Sequence, residues 1–144
     1  MVSVESERRP IFEELSSGDC LELLASVPVG RVALTARALP VVLPVNFALW
    51  DGDVIWRSAQ GARLHAAAVG YVVAFEADAY DPETRDGWSV MIQGVAQVVT
   101  DPAELAQARN LPLEAWALDG DADRYVRLTP NIVSGTRIRR AVGP

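Results

Sequence analysis

Arg57, Ser58 and Arg63 fall within seven residues of one another in the run WRSAQGARLHAA (56–67). There a strand-like pattern, DGDVIWRSA, passes through Gln60 and Gly61 into a helix-like one. The first N–H groups of a helix lack intrahelical partners and lie at the positive end of its dipole, so a helix opening near Gly61 favours an anion. Two guanidinium groups add charge-assisted, bidentate hydrogen bonds, and a serine hydroxyl adds a further donor. A terminal phosphate suits that donor set. Two arginines in so short a window equally suit a solvated turn whose ion pairs contribute little, and the local residues leave both readings open.

Two more clusters sit on strand-like runs. PVNF (44–47) places an amide, Asn46, in an apolar stretch, and GWSVMIQG (87–94) interrupts another with Trp88, Ser89 and Gln93. A strand-end amide also caps turns, and Trp88 and Trp116 suit a core or an interface as well as stacking on a ring. His65 is the single histidine and Cys20 the single cysteine, which excludes multi-histidine metal sites and intrachain disulfides. His65 lacks a G-x-S-x-G nucleophile elbow to serve, and Cys20 lies in the apolar helical pattern CLELLASV, where it acts as a small core filler. The carboxylates of EADAYDPETRD (76–86) lack the spacing of a calcium loop and read as a solvated loop.

The elements that must position these groups are mostly strands. A helix is expected from about Ser17 to Ser26, capped by Ser16 or Ser17 and ended by Pro28 and Gly30. Three β-branched runs follow (29–36, 40–49 and 53–59), the last two joined by Trp50-Asp51-Gly52, a strong hairpin signal. A helix over 60–69, a strand over 70–78 and a loop over 79–87 come next. A long strand (88–100) has Gly94 inside it, marking a bulge or a close backbone approach. Asp101-Pro102 opens a helix over 102–110, and a pair of strands, 124–130 and 131–140, ends the pattern. Six or seven antiparallel strands with short helices suggest a closed barrel. Residues 1–11 read as an arm and 12–144 as one domain.

Composition narrows the function. The net charge is −6 and the basic residues are scattered, which argues against nucleic acid as partner. All thirteen basic residues are arginine, so neither a lysine Schiff base nor a P-loop lysine can be formed by this chain. No run reaches the ~18 apolar residues of a membrane span, and MVSVESERRPIFEEL has no apolar signal core, so a cytoplasmic location is expected.

The order of the clusters, PVGRVALT, LPVVLPVNFAL, DGDVIWRSAQGARLHAA, VAFEADAYDPETRDGWSVMIQGVAQVVTDPAEL and RYVRLTPNIVSGTRI, resembles the pyridoxamine 5′-phosphate oxidase-like family of flavin-binding split β-barrels. The likeness is greatest to its small actinobacterial members and spans about residues 15–138. It implies a six-stranded antiparallel split barrel and a homodimer with FMN at the subunit interface. It assigns the flavin phosphate to Arg57, Ser58, Ala59, Gly61 and Arg63, and the ring to Val45, Asn46 and Phe47. Trp88 and Ser89 match a strand with a polar flavin contact, and Trp116 resembles a tryptophan that reaches the flavin, from one subunit or the other.

Where many relatives carry G-S-K-L, this chain has Gly61-Ala62-Arg63-Leu64, which keeps the charge. The C-terminal arginine-histidine signature of the oxidase itself is missing from GTRIRRAVGP, which speaks against pyridoxamine phosphate as substrate. The resemblance therefore implies a flavin-dependent oxidoreductase acting by hydride transfer on another small molecule, with no metal and no assigned catalytic side chain. An F420-dependent reductase, or a non-catalytic flavin- or heme-binding module, is the alternative. Replacing Arg63 by Ala is expected to weaken FMN binding by about 1.5–3 kcal/mol, the range for a hydrogen bond to a charged group, measured by fluorescence titration. Equal affinities would place Arg63 in solvent.

Overall fold

The computed structural model describes residues 8–58, 69–114 and 124–141, with Ser58 described by its backbone alone. Among them the order is β1 (Pro10–Glu14), α1 (Ser17–Leu24), β2 (Val29–Ala36), β3 (Leu39–Trp50), β4 (Asp53–Ser58), β5 (Val72–Tyr80), β6 (Gly87–Val98), α2 (Pro102–Arg109) and β7 (Arg124–Arg140). Neighbouring strands run β1-β7-β4-β3-β2-β5-β6, and β6 pairs again with β7. Six antiparallel strands thus close a ring, as expected, and β1 lies outside it.

β7 makes the closure. One edge pairs with β6 from Val126 to Ile138. The other pairs first with β4, up to Leu128 opposite Val54, and then with β1, from Thr136 opposite Glu14. Between Leu128 and Thr136 that second edge has neither partner, and there the barrel splits. The expected pair of strands is therefore one strand of 17 residues. Pro130-Asn131 looks like a turn in sequence, but proline is tolerated beside a bulge or an unpaired edge, and the register slips by one residue here, opposite Gln93 and Gly94. At Gly94 a Cβ would run into the carbonyl of Thr129, so the expected close approach is present.

β1 takes in Pro10 and Ile11, which the sequence reading placed in an N-terminal arm. Five residues of mixed polarity carry no strand pattern of their own; pairing with Thr136 to Arg140, and an ion pair from Arg139 to Glu13, define the strand. The expected helix over 60–69 lies outside the described residues. Two others match: Ser16 caps α1 by accepting from the Asp19 N–H at 3.2 Å, and Asp101 caps α2 by accepting from the Glu104 N–H at 3.1 Å. β5 runs two residues beyond its expected end, to Tyr80.

Alternation sorts each strand. Phe75, Ile92, Val90, Leu128 and Val54 are fully buried inside the barrel, where Phe47 meets Phe75 edge-on at 4.7 Å. α1 plugs one end with Leu24 and Cys20, whose Sγ lies against Gly135. Burial pushes the Cys20 thiol up, with the Asp19 charge adding to it, as suits an inert filler. A second cluster, with Ile55, Val99, Ala108 and Tyr125 among its members, seats α2 against the outer side of β4 and β7.

Arg127 ties that outer side together. Its Nε donates to Asp53 at 2.5 Å, its Nη1 to Glu104 of α2 at 3.4 Å, and its guanidinium stacks over the Trp50 ring at 4.6 Å. Truncation leaves Asp53, largely buried, without its cation. Arg127→Ala is expected to destabilise the fold by about 2–3 kcal/mol in urea unfolding; a change under ~0.5 kcal/mol would make the cluster incidental.

Both hairpins of the β2–β4 meander turn on two residues at positive φ: Arg37 and Ala38 (52° and 62°), and Asp51 and Gly52 (50° and 82°). Such turns match the strand twist, but a left-handed conformation costs an alanine about 1–2 kcal/mol. Ala38→Gly is expected to raise stability by about 0.5–1 kcal/mol after the added chain entropy is subtracted. A lower unfolding midpoint would contradict the turn geometry.

Candidate functional site

β3 and β4 pair from Trp50 opposite Asp53 to Phe47 opposite Trp56. One step further, the same register sets Asn46 level with Arg57. The first two expected clusters thus converge at one end of a hairpin, although eight residues separate PVNF from WRS in sequence. Alternation puts both polar side chains on the outer face, the side that also carries Ala48, Ile55 and Tyr125.

Asn46 is pinned twice. Its Nδ2 donates to the Pro28 carbonyl at 2.8 Å and its Oδ1 accepts from the Glu114 N–H at 2.5 Å. The amide thereby holds the segment after α2 close to the segment after α1. A cleft of about 430 Å³ opens beside it, with Leu24, Val27, Pro28, Ala48 and Pro112 in its walls. Arg57 stacks over the Tyr125 ring at 5.6 Å from its centroid and is half-buried. The Val45 and Phe47 side chains turn inward and are almost wholly buried, so these residues can meet a ligand only through their backbone.

These features fit a flavin in kind: an apolar cleft with an amide at its edge for a ring, and a guanidinium at the strand end for a phosphate. Ala59, Gly61, Arg63, His65 and Trp116 lie outside the described residues, as does the side chain of Ser58.

Trp88 and Ser89 lie on β6, three strands from Asn46. Trp88 pairs with Arg137 and Ser89 with Thr136 near one end of β7, whereas Arg57 pairs with Tyr125 near the other. Through the sheet the path is shorter: the Pro44–Arg31–Glu76–Met91 rung crosses β3, β2, β5 and β6, and Asn46 and Ser89 stand two residues beyond it on the same side, about 15 Å apart at ~4.8 Å per strand. Trp88 packs against the core from its half-buried position, while Ser89 is exposed on the outer face.

Beside Ser89 lies a polar group that the sequence reading passed over. Glu76 and Asp78, read with a carboxylate-rich loop, stand two apart on β5 with both side chains outward. The Arg31 Nη1 donates to Glu76 at 3.2 Å and to Asp78 at 3.4 Å. Burial pushes the Glu76 carboxyl up to about 7; the hydrogen bond and charge of Asp78 act the same way, and Arg31 opposes them. The clue in the sequence is period-two alternation, with Val73, Phe75 and Ala77 inward and residues 76 and 78 therefore outward. Among the described residues no three acidic, cysteine or histidine side chains gather as a metal site, and no helix is long and apolar enough to cross a membrane.

Known proteins match the chain over nearly its whole length. A protein of Mycobacterium tuberculosis, Rv0080, is 42% identical over 130 residues, which is 87% of this chain and 84% of that protein. The solved structure of an FAD binding protein from Mycobacterium smegmatis is 37% identical, with a TM-score of 0.75 over 88% of this chain and 97% of that one. An FAD and heme binding protein from the same organism shares the fold at 18% identity, with a TM-score of 0.67 over 90% of this chain and 74% of that one. The family model for pyridoxamine 5′-phosphate oxidase matches residues 16–137, and with the split barrel on which Asn46 and Arg57 converge, it places this chain in the pyridoxamine 5′-phosphate oxidase-like family of flavin-binding split barrels.

Proposed function

We propose that this chain is a flavin-binding oxidoreductase that works as a homodimer, with one FMN held between the outer end of the β3–β4 hairpin and a second copy of the chain. The observation that carries the reading is the convergence of Asn46 and Arg57 on one face beside an apolar cleft. Bound there, the flavin would supply a hydride acceptor and donor. The chain supplies the rest: Arg57, with the residues that follow β4, counters the phosphate charge, and the backbone of 45–47 lies along the ring. Asn46 keeps the cleft walls in register through Pro28 and Glu114. Ser89, three strands from Asn46 on the same outer face, is in this reading a polar contact of a flavin held at the subunit interface.

A flavin ring needs no nucleophile from the protein, in keeping with a chain that has one histidine, one cysteine and no lysine. The similar M. smegmatis protein is described as FAD binding, which makes the dinucleotide the first competitor to FMN. Purified protein is expected to show a flavin absorption band and to release FMN on denaturation, or to take up about one FMN per subunit when titrated. Much tighter binding of FAD, F420 or heme in parallel titrations would replace FMN and keep the site. A colourless protein that takes up none of the four would overturn the reading.

A further inference from the structure

On the outer side of the barrel, side chains from five strands form cross-strand rows. One row runs Val42, Ala33, Ala74, Gln93 and Ile132. The next runs Pro44, Arg31, Glu76, Met91 and Ser134, and beyond it lie Asp78, Ser89, Thr136 and Glu14. The apolar members are open to water, Val42 at 62% exposed, Ile132 at 57% and Met91 at 38%, and Val72, two residues before Ala74 on β5, is 69% exposed beside them. Large apolar side chains grouped on one sheet face, with polar residues around them, mark an association surface.

We propose that two copies of this chain meet through this face and that their association takes up protons at the Glu76–Asp78 pair. The proposal rests on the homodimer reading above, and Ser89 lies on the same face, so the surface that joins the subunits is the one that would complete each flavin site.

The charge balance requires the proton. Arg31 is the single cation on these rows, and its Nη1 is shared by two carboxylates. Glu14 adds an exposed carboxylate from β1, while the neighbouring Glu13 is taken up by Arg139. From β6 the pair is faced by Ser89 and Met91, and from β7 by Ser134 and Thr136, none of which carries charge near neutral pH. A guanidinium can satisfy one desolvated carboxylate, and a second taken out of water without a cation is strongly unfavourable. With one proton on the pair, each face presents one guanidinium beside one carboxylate, a pattern that complements itself under a two-fold rotation.

The sign follows from linkage. Burial in the dimer raises the carboxyl pKa above its value in the free subunit, which for Glu76 is about 7. The contribution to association is then fully present below that value and is lost as pH rises through the higher dimer value.

Sedimentation equilibrium at constant ionic strength from pH 6 to 9 tests this on the full chain. The dimer Kd is expected to be flat at the acid end and to rise by about ten- to a hundred-fold per pH unit above neutrality, for one to two protons per dimer. Glu76→Gln is expected to keep the dimer tight at pH 9 and to flatten the profile, and Asp78→Asn gives a second test if the first variant folds poorly. A wild-type dimer whose Kd does not change over this range would overturn the proton linkage and leave the homodimer standing. A chain that is monomeric at every pH and concentration, with or without FMN, would overturn the homodimer itself.

Discussion

The structure depends on β7 pairing along both its edges. A β-sheet leaves unpaired N–H and C=O groups at its margins, and a six-strand ring removes them only if its last strand reaches both its neighbours. β7 does so by length: residues 126 to 138 hydrogen-bond to β6, the first five residues to β4 and the last five to β1. The one-residue slip at Asn131 lets the strand bend as it passes from one partner to the next. The interior formed by this closure holds Phe47, Phe75, Ile92 and Leu128, and it fixes which side chains are left outside.

That inside-outside sorting decides the chemistry of each face. On β3 and β4 the outward set includes Asn46 and Arg57 beside an apolar cleft, with α2 and the Arg127 cluster holding the neighbouring wall. On β5 and β6 the outward set includes Glu76, Asp78, Ser89 and Met91. The two sets lie on one outer face, three strands apart through the β3–β2–β5–β6 registers.

Much of the architecture was legible from residue pattern because it depends on local rules. Asp51-Gly52 announced its hairpin, Ser16 and Asp101 their helix starts, and Gly94 a close backbone approach. The single strand across Pro130-Asn131 was not legible, since proline and asparagine signal a turn unless a bulge and an unpaired edge absorb them. Nor was β1, which has no pattern of its own and exists through its pairing with the end of β7. The Arg31–Glu76–Asp78 cluster escaped for a related reason: Arg31 is 45 residues from Glu76, and only the β2–β5 register joins them.

By itself, then, the sequence determined the antiparallel barrel class, the turns and caps, the family, and the residue types suited to an anion and a ring, because period, propensity and motif order are properties of neighbours in the chain. The tertiary structure alone decided that Asn46 and Arg57 share a face, that Val45 and Phe47 turn their side chains away from it, and that Ser89 on β6 stands beside the Glu76–Asp78 carboxylate pair of β5. Those relations depend on strand register, where a shift of one residue exchanges every inward side chain for an outward one.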